Sequence, residues 1–158
     1  HLISGARFED QAAAMRLGEY RDALKLIARY PVFGVGFGAA PSVDTYLGVS
    51  NVYLLIAEEM GLLGLSAFLV VMGAFFAYAV PHLNRITDPT MSGILLGLTA
   101  ALVGAMVAGI LDHYFFNLQF PHTVTLFWLI MGLAVVVVQI AGPAREETEH
   151  ARRDSDRQ

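Results

Sequence analysis

The sequence lacks cysteine and is poor in charge. Without cysteine the chain can form neither disulfide bonds nor thiolate metal sites. Charged residues make up only 15% of the 158 residues, whereas hydrophobic residues make up 56%, which is too apolar for an ordinary soluble domain. The 10 basic residues are dispersed along the chain and form no stripe, so nucleic-acid binding is not expected. The composition therefore predicts a membrane protein.

No secretory leader is recognisable at the start of the chain. The first residue is His1 rather than Met, and no segment combines a basic start, a short apolar core and a small-residue cleavage site. We therefore expect the chain to be a fragment or domain of a longer protein.

Three apolar runs without charged residues are long enough to cross a bilayer, which takes about 20 helical residues. They cover residues 62–80, 91–111 and 123–141. The predicted fold class is all-α, a polytopic membrane fragment with three transmembrane helices. Residues 1–61 form an N-terminal extracytoplasmic loop in this prediction, and residues 142–158 form a disordered tail.

Basic residues near the predicted crossings fall on one side of the membrane. On that side, Arg85 lies in the short loop, and Arg145, Arg152 and Arg153 follow close behind the last crossing. Residues 41–60 and 112–122, on the other side, contain no Lys or Arg. Because basic flanks are retained in the cytoplasm, the N-terminal segment is expected to be extracytoplasmic and the tail cytoplasmic.

The second crossing carries small residues at a spacing that lets another helix approach closely. They are Gly93, Gly97, Ala100, Gly104 and Ala108. We expect this helix to pack inside a bundle with N-terminal transmembrane helices of the same protein that lie outside this chain.

The N-terminal loop contains two predicted helices. Residues 16–30 are predicted to form an amphipathic helix, which Pro31 ends. The apolar face holds Leu17, Tyr20, Leu24, Ile27 and Ala28, and the polar face holds Glu19, Asp22, Lys25 and Arg29. Such a helix is expected to lie on the membrane surface or on the missing helices. A short helix over 51–60 follows, capped by Ser50 or Asn51.

Several short motifs carry a family resemblance. Arg16 is followed by an aromatic residue four positions on, then by Ala23-Leu24, Pro31 and a GVGFG turn. The downstream motifs are Asn51-x-Tyr53-Leu54, Glu59-x-Gly61, Gly64-Leu65, Asp112-x-Tyr114, and Phe127-Trp128 through Gly132-Leu133. In order, spacing and placement relative to the crossings, these motifs resemble the O-antigen ligase and polymerase superfamily over roughly residues 16–133.

The resemblance implies a multi-pass glycosyltransferase at the outer face of the cytoplasmic (inner) membrane. Such an enzyme moves a glycan from a polyprenyl diphosphate-linked donor onto a glycan or lipid acceptor, without a metal or cofactor. Arg16 matches the family's loop arginine, and a guanidinium stabilises the charge that gathers on a diphosphate leaving group. Further substrate-binding candidates are Arg21, Arg29, Tyr53 and Asp112.

The acceptor hydroxyl needs a base, and the family typically supplies a histidine immediately before the asparagine that matches Asn51. Ser50 stands there in this chain, and serine cannot act as a base at neutral pH. Three explanations stay open: another group does the work, the step needs little base assistance, or the activity has changed. The candidate groups are Asp44, Glu59, Asp112 and His113, and Asn51 completes the predicted catalytic set.

Plainer interpretations of the same residues also stay open. Asp112 and His113 adjoin aromatic residues and fit interfacial anchors, and Glu58 and Glu59 fit a charged shoulder at the membrane edge. The alternative functions are a non-catalytic membrane scaffold and a component of a lipid-linked glycan transporter. Transporters usually carry ionisable residues within their crossings, and the three runs contain none.

Overall fold

The computed structural model describes residues 2–36, 49–112, 114 and 121–141, with side chains omitted for 2–14 and 121. Within these ranges the chain is helical and contains no strand. The helices are α1 (Leu2–Arg29), α2 (Val52–His82), α3 (Pro89–Ala108) and α4 (Pro121–Ala141). Of these, α2, α3 and α4 are long and apolar enough to span a membrane, which confirms the predicted fold class. The predicted tail, 142–158, lies outside the described residues.

The first helix is longer than the sequence pattern predicts, since it begins at Leu2 rather than near Arg16. Residues 2–15 contain no proline and include three consecutive alanines, so their helix propensity is high even though they show no clear apolar stripe. The helix ends at Arg29, just ahead of Pro31, whose ring cannot continue it.

The second helix is broken at Gly61, whose φ of 73° and ψ of −177° are not helical. Residues 52–60 form a first helical segment and residues 62–82 form a second one. The break falls between the short helix expected over 51–60 and the crossing expected over 62–80.

The third helix is shifted toward its N-terminus relative to the predicted run 91–111. It begins at Pro89 because proline suits the first helical position and Asp88 caps the helix, accepting a hydrogen bond from Thr90 N at 2.7 Å. It ends at Ala108, and residues 109–111 form turns, with Ile110 N donating to Val107 O at 3.1 Å.

The three long helices share one apolar core. Their buried side chains follow spacings of three, four or seven residues, so they form one stripe on each helix. The core includes Val52, Ile56, Phe68, Met72, Phe75 and Ala79 of α2, Leu95 and Leu102 of α3, and Phe127, Ala134 and Val138 of α4, together with Ile86 of the connection between α2 and α3. Most other apolar side chains of these helices point outward, as a lipid-facing surface requires.

The small-residue face of α3 lies opposite Leu95 and Leu102. A Cβ atom added at Gly93, Gly97 or Gly104 would meet nothing within 4 Å. This chain therefore packs α3 through its large side chains, and the packing of further helices on the small face stays a prediction.

Candidate functional site

The break in α2 is filled by the loop that follows α1. In an unbroken helix, Leu62 N and Leu63 N would donate to the carbonyls of Glu58 and Glu59. Here Leu62 N donates to Pro31 O at 2.8 Å and Leu63 N to Val32 O at 3.4 Å. The two released carbonyls accept from the loop instead, from Val35 N at 2.8 Å and from Gly36 N at 2.9 Å. We call this exchange between residues 31–36 and 58–63 the glycine contact.

Glycine is required on both sides of the glycine contact. Gly34 has a φ of 68°, and a Cβ there would collide with the backbone of Glu58 and Glu59. A Cβ on Gly61 would collide with the backbone of Val32 and lie 2.6 Å from Phe33 N. Both residues also occupy the left-handed region, which disfavours a side chain. The glycines of the GVG turn and of the Glu59-x-Gly61 motif therefore form one structural unit.

Two adjacent carboxyl groups lie in the last turn before the break. The Glu58 side chain is 1% exposed, whereas that of Glu59, the catalytic candidate, is half-buried. Because the backbone carbonyls of both residues are held by the loop, the glycine contact fixes where these carboxyl groups leave the backbone.

Ser50 joins α1 to the start of α2. Its hydroxyl donates to Glu19 Oε2 at 2.9 Å, and its backbone N–H donates to the same oxygen at 3.3 Å. The Tyr20 hydroxyl donates to the Ser50 carbonyl at 3.3 Å. Beneath these polar bonds Ala23, Val49 and Leu55 form a small buried cluster. Ser50 is thus held directly by a carboxylate.

The start of α2 also meets the end of α3. Asn51 caps α2, accepting from Leu54 N at 3.0 Å, while its Nδ2 donates to Ile110 O at 2.8 Å. Val52 N donates to Gly109 O at 2.8 Å. The positive end of one helix dipole therefore faces the negative end of the other.

The Tyr53 hydroxyl donates to Met106 O at 2.9 Å. Its ring lies 6.3 Å from that of Phe68, measured between centroids. Tyr53, predicted to bind substrate, thus has a clear structural contact in this chain: it ties the first turn of α2 to the last turn of α3.

The three candidate arginines lie on different faces of α1. Arg16 precedes Tyr20 by four residues and Ala23 by seven, so it shares the face that contacts residues 49–55. Its side chain is exposed and makes no hydrogen bond or ion pair with the described residues.

Arg21 and Arg29 lie away from that face, and both are exposed. The Arg29 guanidinium lies 5.7 Å from the centroid of the Tyr30 ring. Of the three candidate arginines, Arg16 is therefore the one that lies on the face of α1 that contacts Ser50.

Asp112 follows the turn at the end of α3, two residues after the carbonyl that Asn51 binds, and it is exposed. Asp44 and His113 lie outside the described residues. Within the described ranges, no group of three or more His, Asp or Glu side chains is arranged to hold a metal ion.

Glu19 is the residue that the sequence analysis missed. The helical pattern assigns it to the polar face, opposite the apolar stripe, yet the structure places it in the contact with Ser50. The true contact face of α1 is mixed, because Leu17 and Leu24 of the predicted stripe are 65% and 55% exposed while Ala23 is fully buried. An apolar periodicity cannot detect a face whose strongest contacts are polar.

A scan against known protein families and searches of curated proteins and of solved structures found no match to this chain.

Proposed function

We propose that this chain forms the reaction site of a membrane glycosyltransferase of the O-antigen or exopolysaccharide polymerase or ligase type. The enzyme would move a glycan from a polyprenyl diphosphate carrier onto an acceptor hydroxyl at the outer face of the cytoplasmic membrane. The observation that supports the proposal is the convergence of the motif-bearing segments. Hydrogen bonds or packing join four segments: the Arg16 face of α1, the GVG turn at residues 34–36, residues 50–53 and the end of α3.

The position of this cluster suits a lipid-linked donor. The glycine contact ties the loop after α1 to residues 58–63, next to the first residue of the crossing that the sequence predicts over 62–80. Since a polyprenyl chain lies in the bilayer, its diphosphate sits near the level at which a crossing starts. A site held at that level meets the reacting bond without moving the lipid chain.

Arg16 supplies the charge that the reaction requires. A diphosphate becomes more negative as its bond to the anomeric carbon breaks, and a guanidinium stabilises that charge through paired hydrogen bonds. Arg16 is exposed and forms no hydrogen bond or ion pair with the described residues, so its donors are available to the diphosphate.

The test is polysaccharide chain length in a host that lacks the full-length parent gene and is complemented with variants. Arg16→Ala is expected to shorten or abolish the glycan at normal expression, because removing the cation that pairs with the leaving diphosphate lowers the rate by about 100-fold or more. Lys25→Ala is the matched control, since Lys25 is an exposed cation on the far side of α1 that pairs with Asp22 at 2.8 Å. It is expected to preserve the glycan.

An unchanged glycan profile would favour the alternative functions over the transferase. If Arg16→Ala and Lys25→Ala both leave the glycan profile of the wild type, the chain is a scaffold or a transporter component, and the role given to Arg16 is wrong.

A further inference from the structure

We infer that Glu19 is the general base of the transfer, the role for which the motif lacks its histidine. This inference rests on the proposed function and adds to it the residue that accepts the acceptor proton. No apolar pattern or motif singled out Glu19, and the assignment comes from the geometry around Ser50.

Glu19 occupies the place where the base is needed. Both the hydroxyl and the backbone N–H of Ser50 donate to one carboxylate oxygen, Oε2, at 2.9 and 3.3 Å. A carboxylate that accepts two such bonds is held in a fixed orientation. Ser50 therefore places a carboxylate beside the position at which the family carries an imidazole.

The second oxygen of Glu19 is available for a proton. Its Oε1 accepts no hydrogen bond from the described residues, and the side chain is half-buried rather than enclosed. A base must lie within hydrogen-bond reach of the hydroxyl that it deprotonates, and Oε1 is the atom that meets this requirement.

Glu19 also lies beside the residue assigned to the donor. Arg16 and Glu19 are three residues apart on α1, and side chains at that spacing are neighbours, with Cβ atoms about 5–6 Å apart. The diphosphate and the acceptor hydroxyl flank one anomeric carbon. A cation for the leaving group and a carboxylate for the attacking hydroxyl are therefore available on adjacent turns of one helix.

The step balances without any further reactant. The acceptor oxygen forms a bond to the anomeric carbon of the donor, and its proton passes to Glu19 Oε1. The bond between that carbon and the diphosphate oxygen breaks, and the polyprenyl diphosphate leaves with the electron pair, paired with Arg16. Glu19 then releases the proton to water before the next transfer.

A purely structural role makes a different prediction, because the same hydrogen bonds tether α1 to Ser50. Glu19→Gln separates the two roles. Glutamine still accepts from Ser50 through its amide oxygen, so it preserves the tether, but it cannot take up a proton. Ser50→Ala is the converse variant, since it removes the hydroxyl donor and leaves the carboxylate in place.

The experiment measures glycan transfer by the purified full-length protein in vesicles that contain a polyprenyl diphosphate-linked glycan. Glu19→Gln is expected to lower kcat by about 100-fold or more while the KM for the donor stays within about threefold, as loss of a general base requires. Ser50→Ala is expected to lose less than about tenfold. Glu19→Asp, which retains a carboxylate, is expected to recover at least tenfold over Glu19→Gln.

Two results overturn the inference. One is Glu19→Gln activity within about threefold of the wild type, and the other is an equal loss in Glu19→Gln and Ser50→Ala, which marks a tether. Rates are taken per folded protein, measured by the monodisperse fraction in size exclusion. If Arg16→Ala is inactive while Glu19→Gln is active, only this inference fails. If the wild type transfers no glycan, the proposed function fails as well.

Discussion

Single residues decide whether the loop after α1 can reach α2. Gly34 lies against the backbone of Glu58 and Glu59, and Gly61 lies against that of Val32 and Phe33, so closely that neither glycine can carry a side chain. The backbone bonds of the glycine contact depend on that closeness. The Glu59-x-Gly61 motif is thus a packing requirement as well as a part of the proposed site. The close approach of the loop explains why a glycine interrupts α2.

We predict that Gly61→Ala and Gly34→Ala each lower stability by about 2 kcal/mol or more, because both add backbone strain at positive φ and a steric clash. Gly36→Ala is the graded control, since Gly36 has a φ of 88° but nothing within 4 Å of an added Cβ. Gly18→Ala, in the interior of α1 with open space around it, is expected to be neutral or stabilising. Thermal unfolding of the solubilised full-length protein gives the ranking. Equal melting temperatures for all four variants would contradict the packing account.

The motifs and the helical periodicity could identify some residues of the proposed site but not others. The match of Arg16 and Asn51 to a motif identified positions that the fold brings to one end of the helices. Glu19 could not be found that way, because its contact with Ser50 joins residues 31 apart and leaves no trace in the periodicity of either segment. Asp112 lies two residues after Ile110, whose carbonyl accepts a hydrogen bond from Asn51. The sequence around Asp112 does not indicate that contact.

At the scale of elements, the start of α2 is the junction of the structure. Asn51 caps α2 and binds the end of α3 with the two ends of one amide. The asparagine amide carries its acceptor oxygen and its donor nitrogen on separate atoms, so one short side chain makes both bonds at once.

We predict that Asn51→Ala lowers stability by about 2 kcal/mol, the sum of a lost cap and a lost hydrogen bond. Asn51→Ser preserves the cap acceptor but cannot reach Ile110, so about half of the loss is expected. The two variants are compared by thermal unfolding of the full-length protein. A larger loss for Asn51→Ser than for Asn51→Ala would show that the cap does not operate as described.

The docking of α1 gives a second prediction at this scale, and the absence of native cysteine in the chain makes it easy to test. Ala23 and Val49 pack in one buried cluster, so cysteines at both positions are expected to form a disulfide under mild oxidation. Leu24 is 55% exposed, so the pair at 24 and 49 is the control and is expected to stay reduced. The readout is a mobility shift on a non-reducing gel. Crosslinking of the control pair alone would mean that the Leu24 face of α1, rather than the Ala23 face, lies against residue 49.

Elements were more predictable than contacts. Three charge-free runs indicated the crossings because the bilayer imposes length and apolarity on each helix independently of its neighbours. Pro31 indicated the end of α1, and the bounds expected for the short helix and the first crossing left Gly61 between them, although its non-helical backbone was not predicted. The start of α1 at Leu2 was missed, since residues 2–15 show helix propensity without an apolar stripe. Which face of α1 packs depended on tertiary contacts, and no local pattern carries that information.

At the scale of the whole molecule, the proposed site requires a particular orientation in the membrane. The clustered segments all lie at the end of the helices where α2 begins and α3 ends, and residues 83–88 lie at the opposite end. The arginine distribution predicts that the first end is extracytoplasmic.

We predict that a membrane-impermeant thiol reagent labels Lys25→Cys in intact cells and labels Asn84→Cys only after permeabilisation. Both positions are exposed on the protein, so accessibility depends on the side of the membrane. The assay uses the full-length protein freed of any other cysteine. Labelling of Asn84→Cys in intact cells, with Lys25→Cys protected, would reverse the orientation and remove the site from the outer face.

In the proposed function, the Arg16 face of α1, opposite Ser50, carries out glycosyl transfer. Release of polyprenyl diphosphate from a lipid-linked glycan, in vesicles containing the purified full-length protein and an acceptor glycan, tests this most directly. We expect release by the wild type and by Lys25→Ala, and a rate about 100-fold lower for Arg16→Ala. Release by Arg16→Ala at the wild-type rate, or no release by the wild type, would contradict it.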